Sequence, residues 1–294
     1  MLAWGLVVLA VLAGVTKGYF GKRTSGVAEQ FHDAIYVNIL RFFLCALLGG
    51  IISTVQNGPA ALTNLDGWWL ALICGLSQAA FATTWLLAVR TGAYIMLDAF
   101  LTAGILIPTL LCRFLYQEPI YAQQWLGFVI LLCAVCLMCS YNNSIKKKLT
   151  PKGVALLIAC SVSSGMVDFT QKAANYHYPQ MGIASFQFYA YVFATVILAV
   201  GYLCVKPRKE KPVSIKKVGW MLAIMAVCLF MNTFCKQFAA TRISAVALYS
   251  ASQGGGLILS MLMAAVLLHE PPKKRSIIAA VLIFVAMLLI VFAG

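Results

Sequence analysis

Long apolar runs alternate with short polar gaps along nearly the whole chain. A bilayer core needs about 20 consecutive apolar residues per helix, and ten stretches have roughly that length. They span approximately residues 2–20, 34–55, 68–89, 93–116, 121–141, 151–173, 182–205, 217–240, 243–268 and 275–293. These runs are too long and too uniform for barrel strands, and backbone groups in lipid must be paired internally. The pattern predicts an all-α integral membrane protein with ten transmembrane helices.

The composition agrees with this prediction and limits the kinds of partner that the protein is expected to bind. Hydrophobic residues make up 62% of the chain and charged residues only 10%, whereas soluble domains carry about 25% charged residues. The formal charge of +14 comes from basic residues that cluster in the gaps, as at 146–148 and 206–211, which is typical of cytoplasmic loops. We therefore expect membrane lipid, and no nucleic acid, as a partner. The 10 cysteines lie inside apolar runs without nearby ligands for a metal, so we predict no metal site and no cofactor.

The sequence contains an internal repeat, in which a unit of five predicted helices occurs twice. Glu-Pro dipeptides close the fourth and ninth runs at 118–119 and 270–271, and the same offset aligns small residues at 102–104 with a triple glycine at 254–256. A unit with an odd number of spans places its successor in the membrane upside down. We predict two inverted five-helix repeats.

The two repeats are assigned to residues 1–145 and 146–294, and the charges of their gaps support the inversion. The gap at 56–67 contains no Lys or Arg, whereas its counterpart at 206–217 contains six. Most of the other basic residues lie near gaps that follow odd-numbered helices. The positive-inside rule then places these gaps in the cytoplasm and both termini outside it, in a multi-pass protein of the plasma (inner) membrane.

These features resemble the ten-helix EamA-like branch of the drug/metabolite transporter superfamily, over nearly the whole chain. The residues that carry the resemblance are Lys22 after a Gly-containing first helix, Leu40-Arg41-Phe42 in the second, and Glu118 and Glu270. The chain departs from the family at Pro108, one turn beyond the usual proline, and at the triple glycine that replaces its counterpart. The resemblance implies transport of a small metabolite by alternating access, with the site between the halves. It does not identify the substrate, because family members handle amino acids, nucleosides, sugars and toxic organics.

Charged residues at membrane depth are functional candidates, because a charge near the bilayer centre costs at least about 2.5 kcal/mol. Asp98 could bind a substrate amine or carry a proton, or it could be a helix-start carboxylate. Lys236 could attract a substrate carboxylate or extend to the interface. Asp168 and Lys172 are four residues apart, which is the spacing of an ion pair within one helix. We place Asp98, Asp168 and Lys236 in the substrate pathway.

Uncharged side chains complete the predicted pathway, with ordinary interhelical hydrogen bonding as the alternative for each. They are Gln78, Trp85, Asn232, Tyr249 and Gln253.

Structural or gating roles are predicted for a second set of residues. These are Arg41, Lys172, Glu118, Glu270, Pro108, Gly254, Gly255 and Gly256. Arg41 is expected to bind helix carbonyls or an acidic partner. The glycines permit either close helix contact or flexing. The two glutamates, each followed by a proline suited to a first helical turn, are expected to sit at the positive end of the following helix, with ion coupling as the alternative.

The predicted function is secondary transport of a small polar or amphipathic metabolite, such as an amino acid or nucleoside, with export as the expected direction. The sequence has no P-loop for nucleotide, so a solute gradient or protons as coupling ion would supply the drive. One alternative is a flippase for a lipid-linked carrier, with Arg41 and Lys236 as its basic headgroup site. The other is an intramembrane enzyme, which the absence of a recognisable Ser/His or HExxH motif disfavours.

Overall fold

The computed structural model describes residues 2–25, 31–90, 100–140, 151–205, 215–267 and 274–292. This part of the chain forms ten α-helices and two short 3-10 helices, Pro59–Leu62 and Pro179–Met181. The α-helices are α1 (Leu2–Ser25), α2 (Phe31–Asn57), α3 (Trp68–Arg90), α4 (Leu106–Tyr116), α5 (Ala122–Ser140), α6 (Pro151–His177), α7 (Ile183–Cys204), α8 (Ile215–Ala239), α9 (Ala245–Leu267) and α10 (Lys274–Val291). The candidate residues Asp98 and Glu270 lie outside the described residues.

Most of these helices are long and apolar enough to cross a membrane. Within the described residues, seven meet that standard, namely α1, α2, α3, α6, α7, α8 and α9, and the segments around α4, α5 and α10 are shorter apolar helices. Large apolar side chains such as Val55, Leu203 and Phe292 are more than three-quarters exposed, as expected for surfaces that face lipid tails. The protein is a multi-pass, all-helical membrane protein, as its hydropathy predicted.

The helices associate mainly across the two halves of the chain. α1 packs on α8, α2 on α7, α3 on both α6 and α7, and α5 on α10, while α8 also contacts α2. Small residues permit these approaches, since helices in lipid gain most from close backbone packing. A Cβ atom on Gly75 of α3, for example, would lie 2.6 Å from the carbonyl oxygen of Ala190 in α7.

The fourth membrane segment is broken just before α4. Residues 100–103 are helical, Gly104 and Ile105 form a turn, and the helix resumes at Leu106. Pro108 has no N–H to bond the carbonyl of Gly104 four residues earlier, and the N–H of Ile107 binds that carbonyl instead, at 3.1 Å. The hydroxyl of Ser161 in α6 donates to the carbonyl oxygen of Phe100 at 2.6 Å. Pro108 therefore marks a discontinuous helix whose backbone is partly satisfied by α6.

The break is held against α6 by a contact that only glycine permits. A Cβ on Gly165 would lie 2.6 Å from the carbonyl oxygen of Gly104 and 2.8 Å from Cβ of Ile107. We expect Gly165→Ala to lower the free energy of unfolding by about 1–3 kcal/mol, because α4 must move away. Gly256→Ala is the matched control, since a Cβ there would have no described atom within 4 Å. Thermal unfolding in detergent compares the two, and equal stabilities would contradict this account of the crossing.

The triple glycine of α9 lies in a continuous helix, and its three members differ in their surroundings. A Cβ on Gly254 would lie 2.5 Å from Sδ of Met287 in α10, so close helix contact explains this position. Gly255 faces Val11 of α1 at an ordinary distance of 3.7 Å. Gly256 lines a cavity instead. The close-contact interpretation therefore holds for Gly254, and α9 is continuous through all three glycines.

Candidate functional site

A cavity of about 150 Å³ lies in the middle of the bundle, and we call it the central cavity. In the described part of the chain its walls come from α1, α3, α6, α8 and α9 and from the helical turn that precedes α4. Its polar lining includes hydroxyl, amide and charged side chains, whereas Phe81 and Trp85 of α3 give it an aromatic wall. A cavity of about this size holds a ring the size of benzene. Concave sites with an apolar wall and a few polar groups are typical of small-molecule binding.

An ion pair between two helices forms one charged part of this lining. Nζ of Lys236 in α8 donates to Oδ1 of Asp168 in α6 at 2.5 Å. The two residues are only 8% and 4% exposed. The predicted pair between Asp168 and Lys172 is therefore wrong, because Asp168 points to α8. Lys236 neither extends to the interface nor stands alone, since its charge is compensated within the protein.

Lys172 instead binds Glu118, at the end of the bundle where α4 and α6 end and α9 begins. Lys172 forms an ion pair with Oε1 of Glu118 and donates to the carbonyl oxygen of Ile243 at 3.4 Å. The other carboxylate oxygen, Oε2, accepts the N–H of Ala245 at 2.9 Å, which is the first amide of α9. We call these four groups the Glu118 cluster. It joins the segment after α4 to α6 and α9.

The direction of the chain after α4 explains why Glu118 reaches α9. Gln117 has a φ of 54° and is the left-handed cap of α4, so the backbone turns sharply before Glu118. α5 starts only at Ala122, which leaves Pro119 outside its first turn. The prediction that Glu118 caps the following helix is therefore wrong. The carboxylate does occupy the positive end of a helix dipole, but that helix is α9.

The uncharged candidates divide into cavity residues and a structural residue. Gln78, Trp85, Asn232 and Gln253 all line the central cavity, and Nδ2 of Asn232 also donates to the carbonyl oxygen of Ala10 at 2.7 Å, which ties α8 to α1. Tyr249 is not among the described lining. It is 1% exposed, and its hydroxyl donates a hydrogen bond to the backbone carbonyl of Asp168 at 2.7 Å. Tyr249 therefore stabilises the backbone that carries the ion-paired carboxylate.

Lys17 is a cavity residue that the sequence analysis missed. It lines the central cavity from α1, and its Nζ lies 5.9 Å from the ring centroid of Phe81. Because the first helix was predicted to end near residue 20, Lys17 looked like a residue of the helix end. α1 continues to Ser25, which places Lys17 well inside the span. The basic residues at 22 and 23 were the available signal for this later end.

Arg41 lies beside Lys17 in a smaller pocket of about 30 Å³, which we call the side pocket. Lys17, Gln78, Phe81 and Trp85 line both the side pocket and the central cavity. Arg41 is 7% exposed, and its guanidinium carbon lies 5.1 Å from the ring centroid of Phe42. Its Nε has no hydrogen-bond partner among the described residues. Within the described part of the chain, Nε therefore lacks the acidic partner or helix carbonyl that was expected for Arg41.

The site has the chemistry of solute binding. The described residues contain no group of three His, Cys, Asp or Glu side chains placed to hold a metal ion. Its described lining offers two ammonium groups, one carboxylate and several neutral hydrogen-bonding groups beside aromatic rings. These groups can desolvate and orient a small molecule inside the membrane.

Comparisons with known proteins agree with this architecture. None of the curated proteins matches this chain. The chain superposes on the crystal structure of a protein with a TM-score of 0.77 and 14% sequence identity, and the match covers 99% of this chain and 96% of that one. That similarity concerns the fold alone. Residues 151–292, in the second half of the chain, match the EamA-like transporter family, which confirms the resemblance for that half. Residues 151–292 therefore form an EamA-like transporter domain, which belongs to the drug/metabolite transporter superfamily.

Proposed function

We propose that this protein is a secondary transporter that moves a small polar or amphipathic metabolite across the plasma membrane by alternating access. The observation that carries the proposal is the origin of the central cavity. Its walls come from α1, α3 and the turn before α4 on one side, and from α6, α8 and α9 on the other. These are the same three positions in each five-helix half. Transporters built from repeats place their substrate sites at such an interface.

The packing of the helices supports two halves at 1–145 and 146–294 related by a two-fold exchange. Advancing each helix by five positions converts the contact of α1 with α8 into that of α6 with α3. The contact of α3 with α7 becomes that of α8 with α2 by the same exchange. With ten crossings, five in each half, the two halves are inverted, and each can adopt the conformation of the other as access changes sides.

The Glu118 cluster is a charged contact between the two halves, and we expect it to change when access switches. It joins Glu118 of the first half to Lys172 and Ala245 of the second. Contacts between halves that exist in only one of two states set the equilibrium between those states. We therefore assign the Glu118 cluster a gating role at one end of the central cavity.

Transport by the purified protein in liposomes tests the function. We expect uptake or counterflow of at least one solute from a panel of amino acids, nucleosides, sugars and organic acids. Gly256→Leu is the inactive control because it fills the central cavity, and Leu262→Phe, on an exposed part of α9, is the matched active control. Imposing a pH gradient tests protons as the coupling ion. No transport of any solute, with or without the gradient, would contradict the proposal.

Tags in the two equivalent gaps test the inversion and orientation. Residues 58–66 follow α2, and residues 206–214 follow α7. The proposed topology places the first gap outside the cytoplasm, with both termini, and the second inside it. Accessibility of both tags from the same face of intact cells would contradict two inverted halves.

A further inference from the structure

We infer that the solute of this transporter is a small organic anion, whose carboxylate binds between Lys17 and Arg41 and whose planar apolar body lies in the central cavity. The inference rests on the proposed transport function and names the substrate class for the same site.

The charges around the two pockets do not balance within the described residues. Asp168 is the carboxylate of the described lining, and Lys236 already binds it at 2.5 Å. Lys17 and Arg41 both line the side pocket, whose described lining contains no carboxylate. A solute cation would meet an excess of positive charge and a carboxylate that is already engaged. A solute anion would complete the neutralisation, so the electrostatics favour it.

The depth of these two cations makes their compensation important. Lys17 lies seven residues before Thr24, where the span of α1 ends, and Arg41 nine residues after His32, where that of α2 begins. At 1.5 Å per residue both are roughly 10–14 Å from the membrane face where these two consecutive helices meet. Charges at such depth are expensive, and they mark substrate or ion pathways in membrane proteins.

Arg41 provides an independent sign of a missing ligand. The residue is 93% buried, since its exposed fraction is 7%, and its Nε has no partner among the described residues. Nearly all buried donors in proteins are hydrogen-bonded. The planar guanidinium fork matches a carboxylate. The side pocket, at about 30 Å³, has room for a small anionic group of that kind.

The rest of the ligand is defined by the walls that adjoin the two cations. Phe81 and Trp85 line both pockets, so a group bound at Lys17 has aromatic faces directly beside it. The central cavity of about 150 Å³ holds a ring the size of benzene. Stacking on these rings favours a planar apolar body. Gln78 also lines both pockets.

Binding of matched benzoic acid derivatives to the detergent-purified protein tests the inference. Benzoate, benzamide and benzylamine share one ring and differ in charge. We expect benzoate to raise the melting temperature and the other two to leave it unchanged. Lys17→Gln should weaken benzoate binding about 10- to 100-fold, the value of a hydrogen bond to a charged group. Lys17→Arg should restore binding, which separates a loss of charge from a loss of folding.

Arg23→Gln is the matched control for Lys17→Gln. It removes one positive charge from the exposed end of the same helix, and we expect unchanged benzoate binding. Inorganic phosphate and a short-chain phosphatidylglycerol test the other sources of an anion. Stabilisation by either of them without stabilisation by benzoate would overturn the carboxylate assignment.

Liposome transport separates failure of this inference from failure of the proposed function. Transport of benzoate that Lys17→Gln abolishes supports both. Transport of benzamide or benzylamine without benzoate overturns the inference and leaves the transport function intact. Benzoate binding that is equal in the wild type and Lys17→Gln also overturns the inference, because the anion would then lie elsewhere.

Discussion

Replacing Asp168 with Asn is expected to lower the free energy of unfolding by about 3–5 kcal/mol, because it leaves a buried charge without its partner. The carboxylate is 4% exposed and accepts a hydrogen bond from Nζ of Lys236 at 2.5 Å. Asn retains the shape but not the charge, so the Lys236 ammonium would remain uncompensated between α6 and α8. Unfolding in detergent, followed by circular dichroism, measures the difference.

Two further variants show whether the charge pair causes this loss. Asp168→Asn combined with Lys236→Met removes both charges, and we expect most of the lost stability to return. Tyr249→Phe is the matched control, since the hydroxyl of Tyr249 binds the backbone carbonyl of Asp168 at 2.7 Å and carries no charge. Its expected cost is about 1 kcal/mol. If Asp168→Asn costs no more than Tyr249→Phe, the ion pair does not stabilise the fold.

The helices were predictable from sequence because the bilayer sets their length and polarity. α7 was predicted at 182–205 and observed at Ile183–Cys204, and α9 was predicted at 243–268 and observed at Ala245–Leu267. The break before α4 was not predicted as a break, although Pro108 was singled out. A proline in the sequence shows that one backbone N–H is missing. Whether the helix breaks there depends on the neighbouring helix, here on the close contact with Gly165.

Partners of charged residues could not be predicted, because they depend on which helices are neighbours in space. Residues four apart share one face of a helix, which made Asp168 and Lys172 look like a pair. Residues one turn apart nevertheless lie at different positions along the helix axis, and each of these two side chains pairs with a charge near its own position. Asp168 binds Lys236 of α8, whereas Lys172 binds Glu118 beyond the end of α4. The sequence identifies the charged residues, but it does not show which helices lie close enough for these residues to pair.

Glu118→Gln is expected to loosen the first turn of α9 and to lower the free energy of unfolding by about 1–3 kcal/mol, the cost of losing a hydrogen bond to a charged group. Gln retains an oxygen that can accept the N–H of Ala245, but it cannot neutralise Lys172, which is 8% exposed. Hydrogen exchange of the amides at 245–248 should accelerate. Arg113→Gln is the matched control, since Arg113 is exposed and donates to the backbone carbonyl of Glu118, at 3.2 Å, not to its carboxylate.

Comparison of Glu118→Gln with Glu118→Ala separates the two roles of this carboxylate. Ala removes the acceptor as well as the charge, so the amide of Ala245 would lose its partner and exchange still faster. Adding Lys172→Met to Glu118→Gln removes the uncompensated charge and should restore much of the stability but not the original slow exchange. Exchange at 245–248 that is the same in Glu118→Gln and the wild type would show that the ion pair does not hold α9. The Glu118 cluster could then not be the contact between halves that favours one access state, since a contact shifts an equilibrium only by the free energy it contributes to one side.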